Sequence, residues 1–341
     1  MNKRFLLAAG LWAAVVFLGG CGRRQEIRTV NLSEVASERL TGSVIPCPEE
    51  VAFAQRIFSL QGRFALLDDA NEGFLHFYDA EWNPVCRFGR VGRAEDEFVL
   101  PKVLSSRERL YVFSVSGRYA ELSFAGPDSL SVRFDAPSSP EGAEGLYYYV
   151  KYPSGEVVMS TSTEARMLVT AGQSKRPLDI FPVREYEEIG NFYKKEVIFE
   201  SAYASSSKEE TVLACGKYQP YIELFDIPGR RYECRRIADL KDNEVSFRNN
   251  APVYESPVSF YTFATFSGEH YYALFQNAGT AEMEAGGISE VHKIDRSGEI
   301  VSRYILDRRV YSFCVEESTS AIAALFLTED YEPGIVRYVM E

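Results

Sequence analysis

Long apolar runs are nearly absent from this sequence. After residue 18 no stretch approaches the ~20 apolar residues that a membrane-spanning helix needs. Convincing helical periodicity is also missing, which leaves all-β architectures in front. Histidine is scarce, with three in 341 residues, and none of His76, His270 and His292 sits in an H-E-x-x-H or other metal-ligand spacing. No G-x-S-x-G elbow, phosphate loop or dinucleotide fingerprint is present. Basic residues are outnumbered, 37 Lys and Arg against 49 Asp and Glu, and the net charge of −12 argues against a nucleic-acid partner. Long Pro/Gly/Ser linkers are missing as well, so a single domain is expected despite a length that would suit two.

What is present begins with an address. Lys3 and Arg4 precede a fourteen-residue apolar run, Phe5 to Leu18, closed by Leu18-Gly19-Gly20-Cys21. Small residues directly before a cysteine read as a lipoprotein signal peptide over residues 1–20, with lipidation at Cys21, and the run is too short for a transmembrane anchor. Removing the leader takes Lys3 and Arg4 and no acid, so the charge moves from −12 to −14. Gly22 after the cysteine resembles lipoproteins sorted to the outer membrane, and Arg23-Arg24 lacks the acidic run that resembles a surface-export signal. Either the periplasmic or the cell-surface face remains open. Residues 21–40 are expected to form a lipidated tether containing one weak strand, Ile27 to Leu32, ahead of a folded domain over 41–341.

Gly62 to Pro101 displays the architecture. Arg63-Phe64-Ala65-Leu66-Leu67-Asp68 is a strand, stopped by the turn-rich Asp68 to Gly73. Phe74 to Asp79 is the next, ended by Asn83-Pro84, and Val85 to Phe88 follows. Gly89-Arg90-Val91-Gly92-Arg93 then offers two glycines for positive φ or close backbone approach. Three strands in about forty residues suit one propeller blade. At these residues the chain resembles the six-bladed, TolB-like propeller lipoproteins common in gut anaerobes, many of which carry a GxxGxGPxEF-like segment. Gly89, Gly92, Glu97 and Phe98 match that segment, while Ala94-Glu95-Asp96 stands where a Gly-Pro pair is usual. The resemblance implies an all-β, six-bladed β-propeller of four-stranded antiparallel blades and supplies no catalytic residues.

The same grammar recurs near every fifty residues: strands at Arg109, Tyr119 and Leu130, then at Gly145, Val157 and Ala165, then at Thr211, Tyr221 and Arg231. Phe260, His270, Val291 and Ile300 begin the strands of a fifth blade, and Val310 and Ser320 those of a sixth. Lys175 to Ser201 is the least strand-like part, and Lys241 to Pro257 reads as a polar loop. An early strand, Ile27 to Leu32 or Val51 to Leu60, is expected near the carboxyl-terminal Ile335 to Val339, since closing a ring removes its exposed edges. A pair of β-sandwiches and a β-helix are the other all-β readings. The 21 tyrosines and 23 phenylalanines suit sheets stacked face to face.

Candidate chemistry is thin. Asp69-x-Asn71-x-Gly73 has the first ligands of a calcium loop without the twelfth-position glutamate and reads as a hairpin. Ser205-Ser206-Ser207-Lys208 has Ser-x-x-Lys spacing in a polar tract without its partner motifs. Glu95 and Glu97 could pair for acid/base work on a sugar, yet solvated loop acids are the simpler reading. Five cysteines remain besides Cys21, namely Cys47, Cys86, Cys215, Cys234 and Cys314. Cys215 and Cys234 are placed to be neighbours in one blade, although buried free thiols are the ordinary case. No cofactor is expected. The reading is a membrane-anchored binding or scaffolding module for an envelope protein, a peptide or a glycan, with a propeller-type hydrolase or lyase as the alternative. Trp82 is the only tryptophan after residue 20, which weighs against glycan stacking.

Overall fold

The computed structural model describes residues 27–68, 72–94, 96–106, 109–114, 118–135, 146–160, 166–171, 174–178, 198, 200–206, 208–227, 232–248, 251–284 and 287–341. Three strands come first: β1 (Ile27–Val30), β2 (Ser37–Leu40) and β3 (Ser43–Ile45). Blade 1 then comprises β4 (Ala54–Leu60), β5 (Arg63–Asp68), β6 (Glu72–Tyr78) and β7 (Pro84–Arg90), and blade 2 comprises β8 (Lys102–Ser106), β9 (Arg109–Phe113), β10 (Tyr119–Phe124) and β11 (Leu130–Asp135). Blade 3 is β12 (Leu146–Tyr152), β13 (Gly155–Ser160), β14 (Met167–Ala171) and β15 (Ser174–Leu178). Blade 4 is β16 (Ser201–Ser206), β17 (Thr211–Gly216), β18 (Tyr221–Asp226) and β19 (Tyr232–Ile237). A hairpin, β20 (Val245–Arg248) with β21 (Ala251–Tyr254), precedes blade 5, made of β22 (Val258–Ser267), β23 (His270–Gly279), β24 (Glu290–Ile294) and β25 (Ile300–Leu306). Blade 6 is β26 (Ser312–Glu316), β27 (Ala321–Leu327) and β28 (Pro333–Val339), completed by β3. The six small sheets stand in a ring, the expected six-bladed propeller.

Closure comes from the amino-terminal side. β3 pairs antiparallel with β28, Val44 opposite Val336, so the last blade takes its outer strand from the beginning of the chain. The ring end therefore finds an early partner as expected, but neither of the two early strands read from the sequence supplies it. From Ile27 onward the chain is also no free tether. β1 adds to blade 4 as a parallel fifth strand beside β19, and β2 does the same to blade 5 beside β25. The Arg303 guanidinium donates to the Leu32 carbonyl at 2.7 Å and is paired to Glu290, which ties this belt to the interior of blade 5. The remaining differences have local causes. Lys241 to Pro257 holds the β20–β21 hairpin rather than only loop, and Ser174–Leu178 is a strand that accommodates Pro177 because it is the outer edge of its sheet.

Within the blades the packing is aromatic. Arg166 and Glu223, both buried, form a two-pronged pair at 2.8 and 2.7 Å that bridges blades 3 and 4, and the Tyr232 hydroxyl donates to the same carboxylate at 2.7 Å. Cys215 and Cys234 lie on β17 and β19, with β18 between them; two strand spacings amount to ~9.6 Å, beyond disulfide reach. Both thiols are buried and free.

The glycine segment after blade 1 has two distinct duties. Gly89 has φ +90, and a Cβ there would lie 2.2 Å from the Phe74 ring. Phe98, fully buried, packs edge-on against Phe74 and Phe88 at 5.8 and 5.9 Å, so the loop that starts at Gly89 folds back as a plug. Gly62 differs: with Gln61 it forms a two-residue hairpin turn with both φ angles positive, 51 and 77, and its missing Cβ would face open space. Gly62→Ala is accordingly expected to cost about 1 kcal/mol and Gly89→Ala at least about 2 kcal/mol, as read by urea denaturation. Equal costs would mean that contact with Phe74 is unimportant.

Candidate functional site

A cavity of about 1000 Å³ occupies the axis of the ring. Its wall is built from the innermost strand of each blade: Gln55, Arg56 and Phe58 on β4, Lys102 to Ser105 on β8, Tyr148 on β12, Ala202 and Tyr203 on β16, and Thr262 to Ala264 on β22, with Tyr311 leading into β26. Such a site exists only once the ring is closed. Ser105 Oγ and Thr265 Oγ1 meet at 2.8 Å, joining blades 2 and 5 across the ring, and Phe263 packs near them with Phe313 at 5.6 Å.

The mouth is apolar. Phe53, Val91, Leu100 and Leu327 line the pit and are all exposed, Leu100 at 68 %. They come from the segment entering β4, the plug loop after β7, and the end of β27. Leu100 has φ +49, the left-handed region that costs a leucine roughly 1 kcal/mol, and it directly precedes Pro101. The Ser114 side chain fixes the neighbouring residue, accepting from Val99 N and donating to Val99 O, both at 2.9 Å. The strain thus holds a large apolar side chain out at the mouth.

Below the rim the polar inventory is short. Asp68 is buried, and its carboxylate accepts from Phe53 N at 2.7 Å and Ala52 N at 3.2 Å, with His76 Nε2 3.3 Å away. Those contacts turn it into part of the wall. Arg56 is different: its Nη1 donates to the carbonyls of Gln55 at 3.2 Å and Tyr311 at 3.4 Å, and its guanidinium lies 5.6 Å from the Phe263 ring centre. Burial lowers its pKa. Among the described residues no carboxylate pairs with it. Thr262 Oγ1 is buried in the same wall without a hydrogen-bond partner among the described residues.

Several residues singled out in the sequence lie elsewhere. Cys21, Asp69, Asn71, Glu95 and Ser207 fall outside the described residues. Ser205 and Ser206 are buried on β16, a strand, whereas the Ser-x-x-Lys chemistry uses a helix. His76 belongs to blade 1 and His270 and His292 to blade 5, so the ring does not gather them. No group of three His, Cys, Asp or Glu among the described residues is placed to hold a metal. His292 is buried between Tyr261 Oη at 2.9 Å and Glu290 Oε2 at 3.3 Å, within the network that holds Arg303. Trp82 stacks on Phe64 at 4.3 Å in the packing between blades 1 and 6. Cys47, half-buried, has its thiol pushed up to about 11, first by burial and then by Asp68 and Glu50, which suppresses thiolate chemistry at neutral pH. Arg56, Thr262 and Leu100 were not legible as site residues.

Two solved Bacteroides structures share the fold. One, a protein described as exported from Bacteroides fragilis, aligns with a TM-score of 0.54 at 9% identity, over 92% of this chain and 100% of that one. The other, a member of the DUF4221 family from Bacteroides vulgatus, gives 0.56 at 11% identity, over 89% and 97%. Neither a protein-family model nor a curated protein matches the chain. At such identities the likeness speaks for the fold alone.

Two outcomes are expected. Leu100→Gly relieves the left-handed backbone and should leave stability at or up to about 1 kcal/mol above wild type in thermal unfolding, whereas a clear loss would show that the side chain packs inward. All three histidines have pKa values lowered, primarily by burial. Their contribution is complete above the unfolded value of 6.5 and is lost as pH falls toward the folded values, because the unfolded chain then binds protons that the folded chain refuses. Urea midpoints should therefore fall between pH 7 and pH 5, with up to ~1.4 kcal/mol per pH unit from each fully buried histidine. A flat profile would contradict the buried neutral state of His76 and His292.

Proposed function

We propose that this protein is a lipid-anchored binding module of the cell envelope, tethered at Cys21 to the outer membrane, that takes its ligand into the axial pit. The observation carrying the reading is the pit itself, a cavity of about 1000 Å³ whose wall draws on all six blades and whose mouth carries exposed apolar side chains from blades 1 and 6 and the loop after blade 1. Its size and apolar lining with a few polar groups suit a ligand site. The leader ending in Gly19-Gly20-Cys21 supports the anchor, the glycine motif supports kinship with TolB-like propeller lipoproteins, and the description of the Bacteroides fragilis neighbour as exported agrees with an envelope address. Binding is favoured over a hydrolase or lyase because Asp68, the one carboxylate among the described lining residues, is occupied by backbone amides. A peptide, a glycan or a segment of an envelope protein would enter by the same mouth.

The test couples anchor and pit. Wild type should incorporate labelled fatty acid and sediment with outer membranes, and Cys21→Ala should do neither; equal behaviour of the two removes the anchor. A pull-down from gently solubilised envelopes should recover a ligand or partner that Leu100→Arg, which crowds the mouth, loses. Unchanged recovery with Leu100→Arg removes the pit from the reading.

A further inference from the structure

Resting on the reading of the axial pit as a ligand site, we propose that its ligand is a small amphiphile with one carboxylate head, seated on the Arg56 guanidinium, and an apolar body running along the aromatic wall to the rim.

The charge pattern argues for an anion. The protein as a whole is strongly acidic, yet the charged residues that line the pit are Arg56, Lys102 and Asp68, and Asp68 spends its oxygens on Ala52 N and Phe53 N. Arg56 Nη1 is spent on two carbonyls, while Nε and Nη2 have no acceptor among the described residues. A guanidinium offers paired N–H groups in a rigid fork that matches a planar carboxylate, and a desolvated cation without a counter-charge gains most from receiving one. Thr262 Oγ1, buried in the same wall and without a partner, supplies a further polar group at that depth. Burial lowers the Arg56 pKa, in line with a charge kept out of water.

The body of the ligand follows from the rest of the wall. Tyr203 and Phe263, both half-buried, supply aromatic surface backed by the buried Phe58, Phe113 and Tyr148, and Leu100 and Phe53 continue it to the mouth, where they are exposed. A water-filled anion site would have no use for that surface. A neutral apolar ligand would leave the half-buried guanidinium without a counter-charge.

The probes are decanoate and decanol, equal in chain length and different in charge, used below micelle-forming concentrations. They are titrated calorimetrically into the mature chain carrying Cys21→Ala, which retains every described residue. Decanoate is expected to bind one per chain, on the order of ten-fold tighter than decanol, because a charge-assisted hydrogen bond contributes ~1.5–3 kcal/mol. Arg56→Met should bring the two probes to the same affinity, and Arg56→Lys should restore part of the preference, with thermal unfolding of each variant checking that the ring remains closed. Equal binding of both probes to wild type, or a preference that survives Arg56→Met, overturns the carboxylate assignment while leaving the pit as a binding site. Binding of neither probe overturns the assignment, whereas the pit reading itself fails only if recovery in the pull-down is unchanged by Leu100→Arg, so the two failures are distinguishable.

Discussion

Everything in this protein depends on how the ring is shut. A propeller whose sixth blade lacks an outer strand presents open backbone at one edge, and here the missing strand is Ser43–Ile45, laid against Pro333–Val339. The closure does not act alone. Before reaching blade 6 the chain has already added a parallel strand to blade 4 and another to blade 5, so residues 27–45 lace three consecutive blades along their outer edges. The hydrogen bond from Arg303 to Leu32 and the chain of contacts through Glu290, His292 and Tyr261 carry that lacing into the interior of blade 5. Gly42 shows how tight the passage is, since a Cβ there would sit 2.2 Å from Val336.

The pit is the other product of closure. No single blade contains it; residues from all six line it, most of them on innermost strands, and the Ser105–Thr265 contact joins blades 2 and 5 across the ring. This division of labour separates stability from recognition. Outer and middle strands bury Phe, Tyr, Leu and Val in stacked layers, whereas the inner strands can carry Arg56, Ser105 and Thr262 without opening the inter-blade cores. The plug loop beginning at Gly89 belongs to both, since Phe98 closes the core of blade 1 while Val91 and Leu100 shape the mouth.

Much of the fold was legible in the sequence and little of the site. Arg63–Asp68 announces itself as a short apolar run stopped by turn residues, and Tyr119–Phe124 by an alternation whose one face packs. Among the strands that escaped were Lys102–Ser106 and Ser201–Ser206, short and rich in serine. Lining the axis, they do not show the apolar alternation that a strand packed on one face displays. Ser43–Ile45 escaped because three residues carry no period, and its place is set by a partner nearly three hundred residues away. Arg56 is one of many arginines until the ring surrounds it, and the unusual backbone of Leu100 leaves no trace in composition.

The belt also sets a distance. If the lipid sits on Cys21 as proposed, five residues separate the anchor from Ile27, a contour of about 20 Å. From β1 inward to β16 are four strand spacings, another ~19 Å. Were Cys21 lipidated as proposed, the axis of the pit would lie within about 40 Å of the bilayer surface. Had Ile27 to Leu40 been a free leash, fourteen more residues would have roughly tripled the length of chain between lipid and ring. On that proposed anchoring, lacing the segment onto blades 4 and 5 would shorten the leash between lipid and ring to the residues before Ile27.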